Sequence, residues 1–454
     1  MRGLGGRDQL RGGAGNDFLY GGTNYGPSQD VDHLDGGPGD DLLDGADPAV
    51  DTQKDGTVID QNDTVVFASA SQGVTVDLAT GVATGEGNDT LVRIENVDGS
   101  AYDDVIRGTD GPNGLSGRPG NDVVDGFGGD DRIAAGLGDD SIDGGDGVDL
   151  LTYRNASGPA NVNLSTGVGT GLGNDTIAGI ENVRGSVYDD HIVGSDGSNY
   201  ISGDNGNDVI DGAGGNDTLA GMGGSDTLSG GDGNDNLQPG SDKDTVDGGA
   251  GDDHLVGSQG ADSFDGGTGI DTLDYSAALA GITADFPTGS GTGGDSDTFT
   301  NVENMIGSIF GDQITGDAGD NFLSGLSGRD IIRGGAGDDT IAGGRDSDSI
   351  DGGDGSDTMT FAAAYRNVSV DLRNGFADRE GGDRLVSIEN LIGSPYSDLL
   401  RGDDNANVIQ GGAGEDTIYG YGGDDVLDGG DGIDIIDGGD GSDSCTGEHD
   451  FNCE

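Results

Sequence analysis

The 454-residue chain has no tryptophan, nine prolines and only two cysteines. A disulfide-dense scaffold is therefore excluded, and 11 Tyr with 11 Phe leave little for an aromatic-filled core. Cationic residues are equally scarce: 19 Lys and Arg stand against 87 Asp and Glu, for a formal charge of −68. With so few basic residues no nucleic-acid surface is expected. No apolar run nears the roughly 20 residues of a transmembrane helix, so no membrane span is expected. With 31% hydrophobic residues, composition alone describes a disordered, self-repelling acidic polymer.

What is abundant is glycine, 98 residues of it, and its placement is periodic. One phrase recurs as GGAGNDFLY at 12–20, GGDGVDLLT at 144–152 and GGAGDDTIA at 334–342, giving a nine-residue pattern GGxGxDxUx with U apolar. Glycines at positions 1, 2 and 4 permit a tight turn, and Asp at position 6 adds a carboxylate. An apolar position 8 between polar positions 7 and 9 is the alternation of a three-residue strand with one side chain inward. Phased on position 6, uninterrupted arrays at 99–152, 185–274, 307–360 and 393–446 hold six, ten, six and six repeats. In the first array position 8 is Ile106, Leu115, Val124, Ile133, Ile142 and Leu151. A strand this short buries nothing alone, so two nonapeptides must share one 18-residue coil and place their strands on opposite sheets.

Each array follows a 32-residue connector that opens with an aromatic residue, Phe67, Tyr153, Tyr275 or Phe361. An alternating strand comes next (VTVDL at 74–78, VSVDL at 368–372), then a degenerate repeat, then an IEN-like strand expected at 94–96, 180–182, 302–304 and 388–390. Connector starts lie 86, 122 and 86 residues apart, and the excess of 36 equals two whole coils, which leaves every loop on its own edge. The expected organisation is an irregular block at 1–66 followed by connector-plus-array modules at 67–152, 153–274, 275–360 and 361–454, the last with a Cys-containing cap. Within 1–66, repeats occupy 3–11, 12–20 and 36–44, and 45–62 reads as a surface loop. The first repeat opens at Gly3, directly after Met1 and Arg2, a start that suits the tail of a longer polypeptide as well as a complete protein.

These repeats resemble those of the RTX, or hemolysin-type, calcium-binding proteins along nearly the whole chain. The resemblance implies an all-β fold, a right-handed parallel β-roll with two nonapeptides per coil and no appreciable helix. It also implies calcium ions held between loops stacked on one edge, because six to eight oxygens exceed what one turn supplies. Carboxylates would come from position 6: Asp17 and Asp41 in the first block, Asp122, Asp131, Asp140 and Asp149 in the first array, and Asp208, Asp217, Asp226, Asp235, Asp244, Asp253, Asp262 and Asp271 in the second. The third array would add Asp330, Asp339, Asp348 and Asp357, and the fourth Asp416, Asp425, Asp434 and Asp443. Turn carbonyls would come from glycines such as Gly145, Gly147, Gly335, Gly337, Gly412 and Gly414. Asp122 would pair with Asp140, and Asp131 with Asp149.

The first two repeats of every array break the pattern alike, with an aromatic at position 4 (Tyr102, Tyr188, Phe310, Tyr396) and then Asn at position 6 (Asn113, Asn199, Asn321, Asn407). These suit array ends, with the rings expected to pack on the connector; the alternative reading is stacking on a sugar ligand, with a cell-surface or polysaccharide partner. Stacked pairs of regular loops give about 12 ions, and about 20 if the modified loops are included. Cys445 and Cys453, in the extracellular setting that the resemblance implies, are expected to form a disulfide.

Nothing resembles a catalytic constellation, so no enzyme is expected in this chain. His33, His191 and His254 fall at the solvent-side position 7, His449 lies in the cap, and none belongs to an HExxH helix. Carboxylates such as Asp125 and Asp143 line a solvated face. An ice-binding variant would need Thr at position 3, where Thr268 stands almost alone. The expected function is calcium binding by a secreted, extracellular, monomeric roll that folds outside the cell. The alternatives are the C-terminal part of a secreted enzyme or toxin, and a surface adhesin or spacer.

Overall fold

In the computed structural model, residues 1–3, 6–22, 31–46, 63–292, 295–378 and 381–453 are described. The surface loop expected at 45–62 lies outside them, except that Gly45 and Ala46 end the strand Leu42–Ala46. The chain divides into two compact units, Met1–Thr227 and Leu228–Glu454, each built in the same way.

The described residues form strands and one short 3-10 turn, Phe286–Thr288, with no α-helix. Successive nonapeptides alternate between two sheets. In the first array Val105–Thr109, Val123–Phe127 and Ser141–Asp143 pair in parallel in one sheet, while Gly114–Pro119, Arg132–Leu137 and Leu150–Thr152 do so in the other. Ile106 stands opposite Val124 and Leu115 opposite Ile133, so the register advances by one 18-residue coil per strand. Position-8 side chains meet between the sheets, where Ile106, Leu115, Val124 and Ile133 are at most 1% exposed. Burying each contributes about 1.5–3 kcal/mol. The stripe is only one side chain wide per strand.

The longer strands explain why position 1 is glycine. Gly114–Pro119 alternates inward at Leu115 and again at Gly117, so position 1 of the next repeat is also inward. A side chain there would drive into the carboxylate below it: a Cβ on Gly126 would meet Asp131 Oδ2 and the Gly144 carbonyl.

Connectors enlarge one sheet more than the other. In the second, Asn174–Ala178 continues the ladder from Ser141–Asp143, then runs antiparallel to Val168–Thr170, which runs antiparallel to Asn161–Asn163 before His191–Val193 resumes the parallel order. The opposite sheet gains one strand, Asn182–Arg184. The connector aromatics Phe67, Tyr153, Tyr275 and Phe361 are 0–5% exposed and fill the space under the added strands. The IEN-like segments are shifted from expectation: the strands are Asn96–Asp98, Asn182–Arg184, Asn304–Ile306 and Asn390–Ile392, and only the Asn belongs to them.

Candidate metal centres between stacked turns

Along each edge of a unit, turns one coil apart are joined through position 6. The backbone N–H of Asp122 donates to Asp140 Oδ1 at 2.8 Å, and that of Asp131 to Asp149 Oδ1 at 2.7 Å. The expected pairs are therefore neighbours. The same link joins Asp208 to Asp226, Asp253 to Asp271, Asp330 to Asp348, Asp339 to Asp357, Asp416 to Asp434 and Asp425 to Asp443. Asp235 donates to Asp253, Asp244 to Asp262, and Asn199 to Asp217. Asp17 donates to Asp41 across a larger 24-residue coil.

One oxygen of each carboxylate is thus used, and the other is left facing inward. Oδ2 of Asp122, Asp131, Asp140 and Asp149 is buried without a hydrogen-bond partner. So is Oδ2 of Asp41, Asp208, Asp253, Asp271, Asp330, Asp339, Asp348, Asp357, Asp416, Asp425, Asp434 and Asp443. A buried unpaired acceptor costs about 1–3 kcal/mol, and more when charged. Sixteen repetitions of this cost need a common partner. Asp262 is different, because Ser258 Oγ donates to its Oδ2 at 3.0 Å.

What surrounds these oxygens is more oxygen. Asp131 Oδ2 and the Gly144 carbonyl of the next coil converge where Gly126 lacks a Cβ. The carbonyls of Phe127 and Gly129 face Gly145 and Gly147 of the turn stacked on them. Gly145 and Gly147 have φ of 101° and 145°, and Gly335, Gly337, Gly412 and Gly414 also lie at positive φ. Each predicted glycine thus combines a left-handed turn with close stacking. Among the described residues no three His, Cys, Asp or Glu side chains converge. The donor set is two carboxylates and a bed of carbonyls, with no nitrogen or sulfur, which suits a hard cation of the calcium type.

The electrostatics agree. Burial, and then the neighbouring aspartates, push Asp122, Asp140, Asp208 and Asp330 up to about 7, and Asp348 up to about 8. The backbone N–H each accepts opposes this without cancelling it.

The modified turns solve the same problem without an ion. In the first repeat of each array a serine at position 2 reaches back to position 6: Ser100 N–H and Oγ donate to the two oxygens of Asp104 at 2.6 and 2.7 Å. Ser186, Ser308 and Ser394 do likewise for Asp190, Asp312 and Asp398. In the second repeat, Asn113, Asn199, Asn321 and Asn407 donate Nδ2 to the carbonyls of Glu95, Glu181, Glu303 and Glu389 at 2.6–2.9 Å. The backbone differs as well. Positions 2 and 4 of the regular turn at Gly126 have φ of 69° (Phe127) and 92° (Gly129), whereas neither modified turn of any array contains a positive-φ residue. Aromatics are tolerated at position 4 for that reason. These aromatics are not core residues like those that open the connectors: Tyr102, Tyr188, Phe310 and Tyr396 are 41–48% exposed.

The RTX calcium-binding nonapeptide repeat pattern matches residues 1–24, 28–47, 98–126, 125–154, 184–219, 211–245, 238–273, 306–341, 325–359, 392–427 and 419–448, well over half of the chain. The chain belongs to the RTX calcium-binding nonapeptide repeat family. No curated protein matches it. The unmatched stretches 155–183, 274–305 and 360–391 fall on the last three connectors and 48–97 takes in the first, yet the connectors continue the RTX carboxylate ladders. Asp140 N–H donates to Asp175 at 3.0 Å and Asp149 N–H to Glu181 at 2.8 Å, and Asp89, Asp383, Glu95, Glu303 and Glu389 play the same part elsewhere. These residues were not among the expected ligands. Their signal was present: each lies two residues before an inward apolar side chain, for example Ile177 after Asp175 and Val183 after Glu181.

Cys445 and Cys453 form a disulfide, with Cα atoms 5.9 Å apart.

Proposed function

We propose that this RTX chain is a secreted calcium-binding module whose roll forms at neutral pH only when calcium occupies the spaces between regular turns. The observation that carries the reading is the repeated buried Oδ2 with no hydrogen-bond partner, facing glycine-turn carbonyls. Bound calcium supplies the positive charge that these oxygens lack. The chain's part is to hold the carboxylates through the Oδ1 links and to turn the carbonyls inward through positive φ. Regular turns stacked in pairs account for about 12 ions. The serine-locked and asparagine-ended turns hold none, because their position-6 oxygens already accept from donors inside the turn, Asp104 from Ser100 and Asn113 Oδ1 from the Thr109 N–H, and the Asn113 amide is itself spent on the Glu95 carbonyl. An extracellular setting is supported by the Cys445–Cys453 disulfide and by the millimolar calcium found there, which suits extracellular modules.

Circular dichroism in excess chelator, then in a few millimolar calcium, tests this reading, with equilibrium dialysis counting the ions. A weak β signal that rises steeply with calcium but poorly with magnesium is expected, since magnesium demands a smaller octahedral shell. Equal β signal in chelator and calcium would overturn it.

A further inference from the structure

Arginines are rare in this chain, yet three of them line one cleft of about 550 Å³ in the first unit. Arg118 comes from Gly114–Pro119, Arg132 from Arg132–Leu137, and Arg154 from the connector directly after the buried Tyr153. Asp98, the one acidic residue in the lining, is consumed by Arg118, whose Nε and Nη2 take its two oxygens. Arg132 and Arg154 have no ion-pair partner among the described residues. Ser116 and Asn155 add hydrogen-bonding groups, and Leu137, 45% exposed, adds an apolar surface.

The other modules act as internal controls. At the corresponding positions of the second array the ion pair is reversed, Arg184 with Asp204 at 2.9 Å, and Thr218 replaces Arg132. In the third array and fourth connector the equivalents of the three arginines are Leu326, Thr340 and Ala362, and Arg345 lies over the Tyr365 ring at 4.5 Å. Roll geometry therefore does not require the cluster.

We infer that this cleft binds a carboxylated saccharide. Its volume falls within the range of small-molecule sites and takes one or two sugar rings. Guanidinium forks recognise carboxylates through paired hydrogen bonds, the serine and asparagine match hydroxyls, and the leucine meets the apolar face of a ring. The inference concerns side chains that hold no metal, although Arg118 sits at position 2 of a regular turn and needs the folded roll.

The test is calorimetric titration of glucuronate, glucose and inorganic phosphate into protein in fixed excess calcium, under conditions where circular dichroism shows the roll. Glucuronate should bind about tenfold more tightly than either of the others. The double variant Arg132→Ala/Arg154→Ala should lose about tenfold in glucuronate affinity while its calcium-dependent melting stays as in the parent. Arg132→Lys/Arg154→Lys should recover only part of the loss, since lysine keeps the charge without the fork. Equal binding of glucose, equal binding of phosphate, or unchanged glucuronate affinity in the alanine variant would each overturn the assignment.

Discussion

Two turns in the first array end in the same residue and treat it differently. At Gly126–Asp131 the chain enters left-handed space at positions 2 and 4, and the carboxylate keeps a buried oxygen with no donor. At Gly99–Asp104 the chain avoids that space, and Ser100 donates to both carboxylate oxygens from within the loop, beside the Val74 N–H on Oδ1. Position 2 thus decides the fate of position 6. Serine makes a self-contained turn, while glycine, or a residue forced to positive φ, makes a turn that is complete only with a cation. Each array opens with self-contained turns and continues with dependent ones.

The largest test of that comparison changes which turns stack. Removing Gly325–Ala342, one 18-residue coil of the third array, brings the serine-locked Asp312 directly under Asp348 with the normal offset. This variant should fold in calcium with a melting temperature lowered by only several degrees. Removing only Gly325–Arg333 moves every later turn of the array to the opposite edge, so that the ladders no longer meet the connector carboxylates Asp383 and Glu389. It should lose the cooperative calcium-dependent transition. If the nine-residue deletion melts no lower than the 18-residue one, the two-edge arrangement is wrong.

Exchanging the two chemistries at one edge should have a smaller effect. Asp131→Asn places an amide where the Gly144 carbonyl and the unpartnered oxygen meet, and should lower the stability of the calcium-loaded protein by about 2 kcal/mol with a loss of bound ions. Asn113→Asp, on the same ladder, removes the 2.8 Å donation to the Glu95 carbonyl and sets two acceptors together. It should cost about 1–3 kcal/mol without adding an ion. Denaturant melts combined with equilibrium dialysis measure both, and an extra calcium in Asn113→Asp would show that the asparagine side chain alone, not the turn that holds it, excludes the metal.

Most of the fold was legible because one period repeats: position 8 fixed the inward stripe, and the 36-residue excess fixed the coil length. The Asp122–Asp140 and Asp131–Asp149 pairings followed from that period together with the RTX resemblance. The serine locks were not legible. Ser100 looks like any tolerated substitution for glycine until its two bonds to Asp104 are seen, and those depend on a φ choice that composition does not reveal. The place of Tyr102 was legible only as an interruption of the glycine pattern, since the turn that admits an aromatic there is told apart by its φ angles. Glu181 was missed because a glutamate interrupts an aspartate ladder and the spacing shifts from 18 to 32 residues across the connector.

Proton supply offers a gentler way to separate the two turns. Asp122, Asp140 and Asp208 have folded-state values near 7, raised by burial and by neighbouring aspartates, against about 3.9 in an unfolded chain. The folded apo state then binds more protons than the unfolded one across roughly pH 4–7, so stability is present below that window and is lost as pH rises through it. In chelator, the β signal should therefore be stronger at pH 5 than at pH 8, protons standing in for cations at the dependent turns. Asp122→Asn should flatten part of this dependence, whereas Ser100→Ala should lower stability by about 1 kcal/mol at both pH values. An apo signal that strengthens from pH 5 to pH 8 would contradict the assignment.

The most local effect is expected at the last coil, where the self-contained solution is covalent. Ser444–Thr446 pairs with Val426–Asp428 in one sheet, and His449–Phe451 pairs with Ile435–Asp437 in the other. The inward stripe ends there: Cys445 is half-buried opposite Leu427, and Asp450 stands opposite Ile436. With no apolar pair to hold these strands, the Cys445–Cys453 disulfide joins the tail beyond the second strand to the first. A charge at the inward position also makes the outer strand a poor template for another chain. The bridge closes a short loop, so reducing it, or making Cys445→Ser/Cys453→Ser, should cost about 2 kcal/mol. The loss should be confined to the final coil and leave the calcium requirement of the interior turns unchanged. Hydrogen exchange resolved along the chain can check this: faster exchange limited to residues around His449–Phe451 is expected, and faster exchange spread through the fourth array would mean that the disulfide, not calcium, closes the roll.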